Sequence, residues 1–219
     1  MTLTGHENWV GAVAFGRLRN GRVLLASGSD DRTVRLWDAA SGQPIMTLTG
    51  HENWVGAVAF GRLRNGRVLL ASGSDDHTVR LWDPVSGQPT ATLTGHEDRV
   101  RAVAFGRLRN GRVLLASGSD DETVRLWDPH SRATITTLIG HESEVGAVAF
   151  GQLRYGRTVL ASGSGDRTVR LWDPTSGQLL SIIPLGAPCT SLAAWDGGVL
   201  AVGAERGLVV LDLLHLPRR

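Results

Sequence analysis

The chain repeats itself every 45 residues, and that period limits the possible folds more than any other feature. Gly-His recurs at Gly5-His6, Gly50-His51, Gly95-His96 and Gly140-His141, and Trp-Asp at Trp37-Asp38, Trp82-Asp83, Trp127-Asp128 and Trp172-Asp173. The first two copies, Thr2 to Asp38 and Thr47 to Asp83, differ only at Arg32 against His77. Self-similarity at such a period is the mark of a repeat architecture.

Each unit reads as four short strands, taken in the first copy as Val10 to Phe15, Val23 to Gly28, Thr33 to Trp37 and Pro44 to Leu48. Turn-forming residues separate them: Arg19-Asn20-Gly21, Ser29-Asp30-Asp31, Ser41-Gly42 and Thr49-Gly50. Strands covered on both faces read as apolar runs, and no stretch holds a helical period over three turns. The chain is therefore expected to be all-β. Hydrophobic residues are 42% and charged residues 20% of 219, which suits a globular array and excludes disorder. The one cysteine, Cys189, excludes a disulfide framework, and no apolar run approaches the roughly 20 residues of a membrane span. No membrane association and a cytoplasmic, soluble setting are expected.

The Gly-His after the fourth strand, the Leu-Ala-Ser-Gly-Ser-Asp-Asp run from the second strand towards the third, and the terminal Trp-Asp together resemble the WD-repeat β-propellers. The resemblance covers about residues 2 to 212. It implies a β-propeller of four-stranded antiparallel blades around a central channel. The blades are expected at about 6–49, 50–94, 95–139, 140–185 and 186–213, in a single domain of residues 1–219. Thr2-Leu3-Thr4 matches the fourth-strand segment Thr47-Leu48-Thr49. A strand at 2–5 is thus expected to complete the last blade and leave no open edge, with Val10, Val55, Val100 and Val145 as core positions.

Four polar residues keep fixed spacing in each repeat: His6, Ser27, Asp31 and Trp37; His51, Ser72, Asp76 and Trp82; His96, Ser117, Asp121 and Trp127; His141, Ser162, Asp166 and Trp172. Three of the residue types are those of a hydrolase triad. A catalytic set needs to occur once, whereas a set that builds blades must recur in each. The resemblance implies a buried hydrogen-bond chain running from Trp to Ser to His to Asp, in which every donor has an acceptor. No catalytic residue is expected. The recurrent His-Glu lacks the second histidine of a zinc-protease motif, so no metal or other cofactor is expected. In the fifth unit Val202 falls where the serine should be and Leu211 where the tryptophan should be, with Glu205 the remaining polar member. A network removed whole is tolerable; a network half removed is not.

The loops between the fourth and next first strand, with those between the second and third, form the top rim in this family. Top positions here carry Glu7, Glu52, Glu97, Asp98, Glu142 and Glu144, while the loops after each first strand carry arginines such as Arg17, Arg19, Arg22, Arg64, Arg109, Arg154 and Arg157. Rims of opposite sign follow. Plain solvation, an acidic protein partner and nucleic acid are the competing readings of the arginine loops. Tyr155 is the single aromatic among them, too few for base stacking, which weighs against nucleic acid. Carried over residue by residue, the family's top contacts fall on Trp9, Trp54, Arg99 and Glu144; on Gly11, Gly56, Arg101 and Gly146; and on Asp30, Asp75, Asp120 and Gly165. Tryptophan and arginine are enriched at binding hot spots. Packing of each tryptophan on its neighbouring blade is the competing reading. The resulting expectation is a non-enzymatic scaffold that binds protein partners through its top rim. The alternatives are a regulatory or sensor domain of a larger signalling protein, and a self-assembling module, a homo-oligomer if five blades do not close alone.

Overall fold

In the computed structural model, residues 2–153, 156–195, 198–205 and 207–212 are described, Trp195 without its side chain. All of their regular structure is β. The first sheet holds β1 (Val10–Arg17), β2 (Val23–Ser29), β3 (Val34–Asp38) and β4 (Pro44–Leu48). The second holds β5 (Val55–Arg62), β6 (Val68–Ser74), β7 (Val79–Trp82) and β8 (Pro89–Leu93). The third holds β9 (Val100–Arg107), β10 (Val113–Ser119), β11 (Val124–Trp127) and β12 (Thr134–Leu138). The fourth holds β13 (Val145–Gln152), β14 (Thr158–Ser164), β15 (Thr168–Trp172) and β16 (Leu179–Pro184). The fifth has three strands, β17 (Cys189–Trp195), β18 (Val199–Ala204) and β19 (Gly207–Asp212). Each sheet pairs its strands antiparallel in chain order. The all-β, bladed architecture expected from the repeats is thus present, with strand bounds within two residues of the expected ones in the first copy.

One register feature recurs. Between Val10 and Ala12 on β1 the pairing with β2 shifts by one residue, as it does at Val55/Ala57 and Val145/Ala147. Such a bulge bends the innermost strand just where it enters from the top rim.

The sheets pack face to face through these innermost strands. The core between the first two contains Leu24, Ala26, Val34 and Leu36 of the first sheet against Val55, Val58, Leu70 and Trp82 of the second. Two glycines set the spacing. A Cβ added at Gly16 would clash with the Phe60 ring, 2.3 Å from its Cγ, and one at Gly28 would sit 2.8 Å from the Val55 carbonyl oxygen. The same fit recurs as Gly61 on Phe105 and Gly106 on Phe150. Each of the first three sheets therefore presents a trailing face with two recesses to the next sheet's leading face of valine and phenylalanine, while the fourth sheet's Gly151 and Gly163 meet Ala194 and Cys189.

Three expectations need correction. Thr2 to Gly5 form no strand, and among the described residues the fifth sheet has no fourth strand. The row of sheets is open, and the N-terminal segment hangs from the first sheet, with Gly5 against Arg35 and Trp37, so it does not reach β19. Val10 is no core residue: it is 48% exposed where Val55, Val100 and Val145 are each 0%. No sheet lies in front of it. Glu205 does not take the place of the tetrad aspartate. Its N–H donates to the Pro188 carbonyl as Asp30 N–H donates to Trp9, which puts it at the Asp30 position, one residue before the tetrad aspartate. The fifth sheet's substitutions are otherwise as expected: Val202 pairs with Leu192 as Ser27 pairs with Val13, and Leu211 with Leu200 as Trp37 with Leu25.

Candidate functional site: the top rim

The rim is built on the tetrads. Trp37 Nε1 donates to Ser27 Oγ at 2.9 Å, Ser27 Oγ lies 2.7 Å from His6 Nε2, and His6 Nδ1 lies 2.7 Å from Asp31 Oδ2. With the tryptophan N–H donating, the serine hydroxyl is free to donate to the imidazole, and Nδ1–H to the carboxylate. The second, third and fourth sheets repeat this chain with every distance between 2.7 and 2.8 Å. In all four copies the tetrad serine is buried and bonded to the tryptophan on one side and the histidine on the other.

The aspartate ends the chain in the turn between second and third strands. Burial raises the carboxyl of Asp31, but bonds from the Thr33 hydroxyl, His6 and the Glu7 N–H outweigh it and hold it far below the usual carboxylate range. Asp76 and Asp121 are held low against burial in the same way, and Asp166 sits at about 2. The next residue, Arg32, His77, Glu122 or Arg167, has positive φ between 66° and 70° and an exposed side chain. The Gly-His glycine carries its own constraint: Gly50 has φ 147°, and a Cβ there would lie 2.6 Å from Arg80 Nη1.

These loops bring the expected contact positions together in pairs. Asp30 N–H donates to Trp9 O, Asp75 to Trp54 O and Asp120 to Arg99 O, each at 2.9 Å, and Gly165 to Glu144 O at 3.0 Å. The character of the rim changes from sheet to sheet. Trp9 is 82% exposed and Trp54 is 49% exposed. Asp30 has no arginine at either cation position, because Trp54 and Gly11 stand there. Further round, the arginines are tied to aspartates. Arg101 binds Asp120 through one guanidinium edge, Nε at 2.9 and 3.0 Å and Nη2 at 2.8 Å, and Arg99 Nε lies 3.6 Å from Asp75 Oδ2. Burial raises the Asp75 carboxyl above its ordinary value; Arg101 and Arg99 pull it down, while Asp120 and Asp30 push it up. On the fourth sheet Glu144 folds its carboxylate into the space left by Gly165.

The opposite rim is less positive than its arginine count suggests. Each Trp-Asp aspartate pairs with the arginine 16 residues before it: Arg22–Asp38 at 2.8 Å, Arg67–Asp83 at 3.2 Å, Arg112–Asp128 at 2.8 Å and Arg157–Asp173 at 3.3 Å. Arg62 and Arg107 each donate to the carbonyl of the arginine 45 residues earlier, Arg17 and Arg62. Arg154 and Tyr155 lie outside the described residues. Sequence reading missed the grooves of about 600 and 630 Å³ between sheets on this rim, lined among others by Leu18, Ile45 and Pro84 and by Leu63, Val113 and Pro129. Their lining comes from three separate loops, which no single stretch of sequence reveals.

The repeats decide the family. Residues 1–38, 42–83, 87–128 and 132–173 each match the WD domain, G-beta repeat. The chain belongs to the WD40 repeat family. Short stretches also resemble curated WD40-sized regions of other proteins. The nuclear distribution protein nudF 2 of Aspergillus clavatus is 60% identical over 38 residues, 17% of this chain and 8% of that protein. Nuclear distribution protein PAC1 of Arthroderma otae is 55% identical over 38 residues, again 17% and 8%. PAC1-2 of Uncinocarpus reesii is 51% identical over 41 residues, 19% and 8%. Each likeness is about one WD40 repeat long and spans a small fraction of the relative's length. No helix among the described residues is long and apolar enough to cross a membrane.

Proposed function

We propose that this WD40 chain is a non-enzymatic, cytoplasmic protein-interaction scaffold, one domain over residues 1–219, whose partner docks on the top rim across the first two sheets. Trp54 carries the reading. It belongs to a sheet packed on both sides, yet half of its surface stays in water beside the turn of Asp75, whose N–H bonds its carbonyl. Trp9 extends the same strip. Arg99, Arg101, Asp120 and Glu144 then form a rim of ion pairs and a carboxylate that positions the partner, since such groups contribute more to orientation than to net affinity. A partner with apolar side chains flanked by a cation suits a tryptophan pair beside the uncompensated Asp30. The short likeness to nuclear distribution proteins supports an interaction role and does not extend to a particular cargo. The double variant Trp9→Ala/Trp54→Ala should lose partner capture while its melting temperature falls by no more than about 6 °C and the fold stays intact. Capture at wild-type strength would refute the assignment.

A further inference from the structure

The two grooves on the rim opposite the tryptophans have a chemistry of their own. Each is walled by the turn after one sheet's innermost strand and by the Trp-Asp loop of the next sheet. The floors are apolar and the grooves are neighbours: Leu18 and Pro84 lie buried in the first, Leu63 and Pro129 in the second, and Asn65 borders both. Val85, on the lip of the first groove, is 69% exposed.

The charge at the mouths is positive and comes from one arginine per groove. The run RLRNGR stands unchanged at Arg17–Arg22, Arg62–Arg67 and Arg107–Arg112. The last arginine of each run meets a carboxylate, Arg22 with Asp38, Arg67 with Asp83 and Arg112 with Asp128. The first donates to backbone carbonyls, Arg17 to Gly21, Arg62 to Arg17 and Arg107 to Arg62. The middle one, Arg19 in the first groove and Arg64 in the second, is exposed and has no hydrogen bond or ion pair among the described residues. Its place is nonetheless set. A Cβ at Gly66 would lie 3.0 Å from Arg19 Nε, and one at Gly111 would lie 4.0 Å from Arg64 Nε. Both glycines have left-handed φ, 79° and 82°, so the guanidinium lies across the next sheet's turn, at the seam where the groove opens.

The step between the grooves selects the shape of an occupant. They stand one sheet apart, and packed sheets lie about 10 Å from each other. Residues seven apart on an α-helix are about 10.5 Å apart on nearly the same face. An extended strand offers same-face steps of about 7 or about 13 Å, which match less well.

We propose that this rim is a second docking surface, for an acidic amphipathic helix of a partner protein. Two apolar side chains seven residues apart enter the two grooves, and flanking carboxylates meet Arg19 and Arg64, whose guanidinium groups have no competing partner. The surface is independent of the tryptophan rim, and a chain with both holds two partners on opposite sides.

Fluorescence anisotropy tests this with a labelled helical peptide of alanine and glutamate that carries two leucines seven positions apart. The full chain should bind it, and raising salt from about 20 to about 200 mM should weaken binding at least about 5-fold. Arg19→Glu/Arg64→Glu should weaken it at least about 10-fold. Moving the second leucine to five positions after the first turns it to another face and should cost as much. Arg32→Glu/Arg167→Glu makes the same change of charge in the exposed turns of the tryptophan rim, where the third sheet already has Glu122, and should alter binding less than about 2-fold. Absence of binding overturns the proposal. So do equal losses from the two double variants, which would show unspecific attraction to net charge, and equal binding of the two leucine spacings, which would show that the grooves are not read.

Discussion

The first and second sheets are made of nearly the same residues and live in different environments. From Thr2 to Asp38 and Thr47 to Asp83 they differ at one position, on an exposed turn. Yet the valine and phenylalanine of β5 are covered and those of β1 face water, and Trp9 is far more exposed than Trp54. Burial here is a property of the neighbour and not of the residue. The pair is an internal control: whatever separates the two sheets in an experiment comes from packing against an adjacent sheet. It also sorts the rim tryptophans, because part of Trp9's exposure comes from the open face and Trp54's does not.

The largest expected difference is between Val55→Asp and Val10→Asp. The first puts an unpaired carboxylate into a sealed interface and should cost more than about 4 kcal/mol, in practice unfolding the array. The second stays within about 0.5 kcal/mol. Denaturant titration of both variants tests this, and equal losses would show the first sheet to be covered.

Next in size is the tetrad. Ser72→Ala strands the Trp82 N–H and the His51 ring in a buried site and should cost about 1–3 kcal/mol by thermal or denaturant unfolding. Ser27→Ala should fall at the low end of that range, because its tetrad opens on the uncovered face. The tetrad-free fifth sheet sets the other limit, since Val202 and Leu211 leave no partner stranded.

Acid should act on the same groups. Asp31, Asp76, Asp121 and Asp166 are all held below the ordinary 3.8, Asp166 at about 2. A depressed folded-state pKa contributes stability that is complete above the unfolded value and disappears as pH falls through the folded one. Unfolding free energy should therefore drop between about pH 4 and about pH 2, and Asp166→Asn should flatten that slope. A slope untouched by Asp166→Asn would remove the tetrad carboxylates as its source. The smallest effects belong to the rim: Trp9→Ala should leave stability within about 0.5 kcal/mol, and Trp54→Ala should cost up to about 1 kcal/mol for its covered half. Differential scanning calorimetry of the two variants resolves that order.

Much of this molecule is legible in its sequence because every sheet restates it. The four strands come from the repeat spacing and the tetrad bonds from the family resemblance, and the pairing of β17, β18 and β19 puts Val202 and Leu211 in the serine and tryptophan places. Relations between sheets are less legible. That Arg99 and Arg101 are held by Asp75 and Asp120 depends on side chains 24 and 19 residues apart meeting over a rim. That Arg22 and its counterparts neutralise the Trp-Asp aspartates depends on two loops converging at the other end. The expected closure by Thr2-Leu3-Thr4 rested on strand likeness. Thr2 to Gly5 form no strand, and β19 has no outer partner among the described residues. Val10 was misjudged for the same reason, since a repeated core residue is core only where the next repeat covers it.

Thiol labelling of Val13→Cys and Val58→Cys tests the central claim most directly, with the native Cys189 buried in both and its thiol pushed up to about 11 by burial. The two positions are identical in sequence context and differ only in whether a sheet lies in front. Val13→Cys should react at the rate of an exposed thiol under native conditions, and Val58→Cys should react only as the protein unfolds. Equal protection of the two would contradict the open first face and the account built on it.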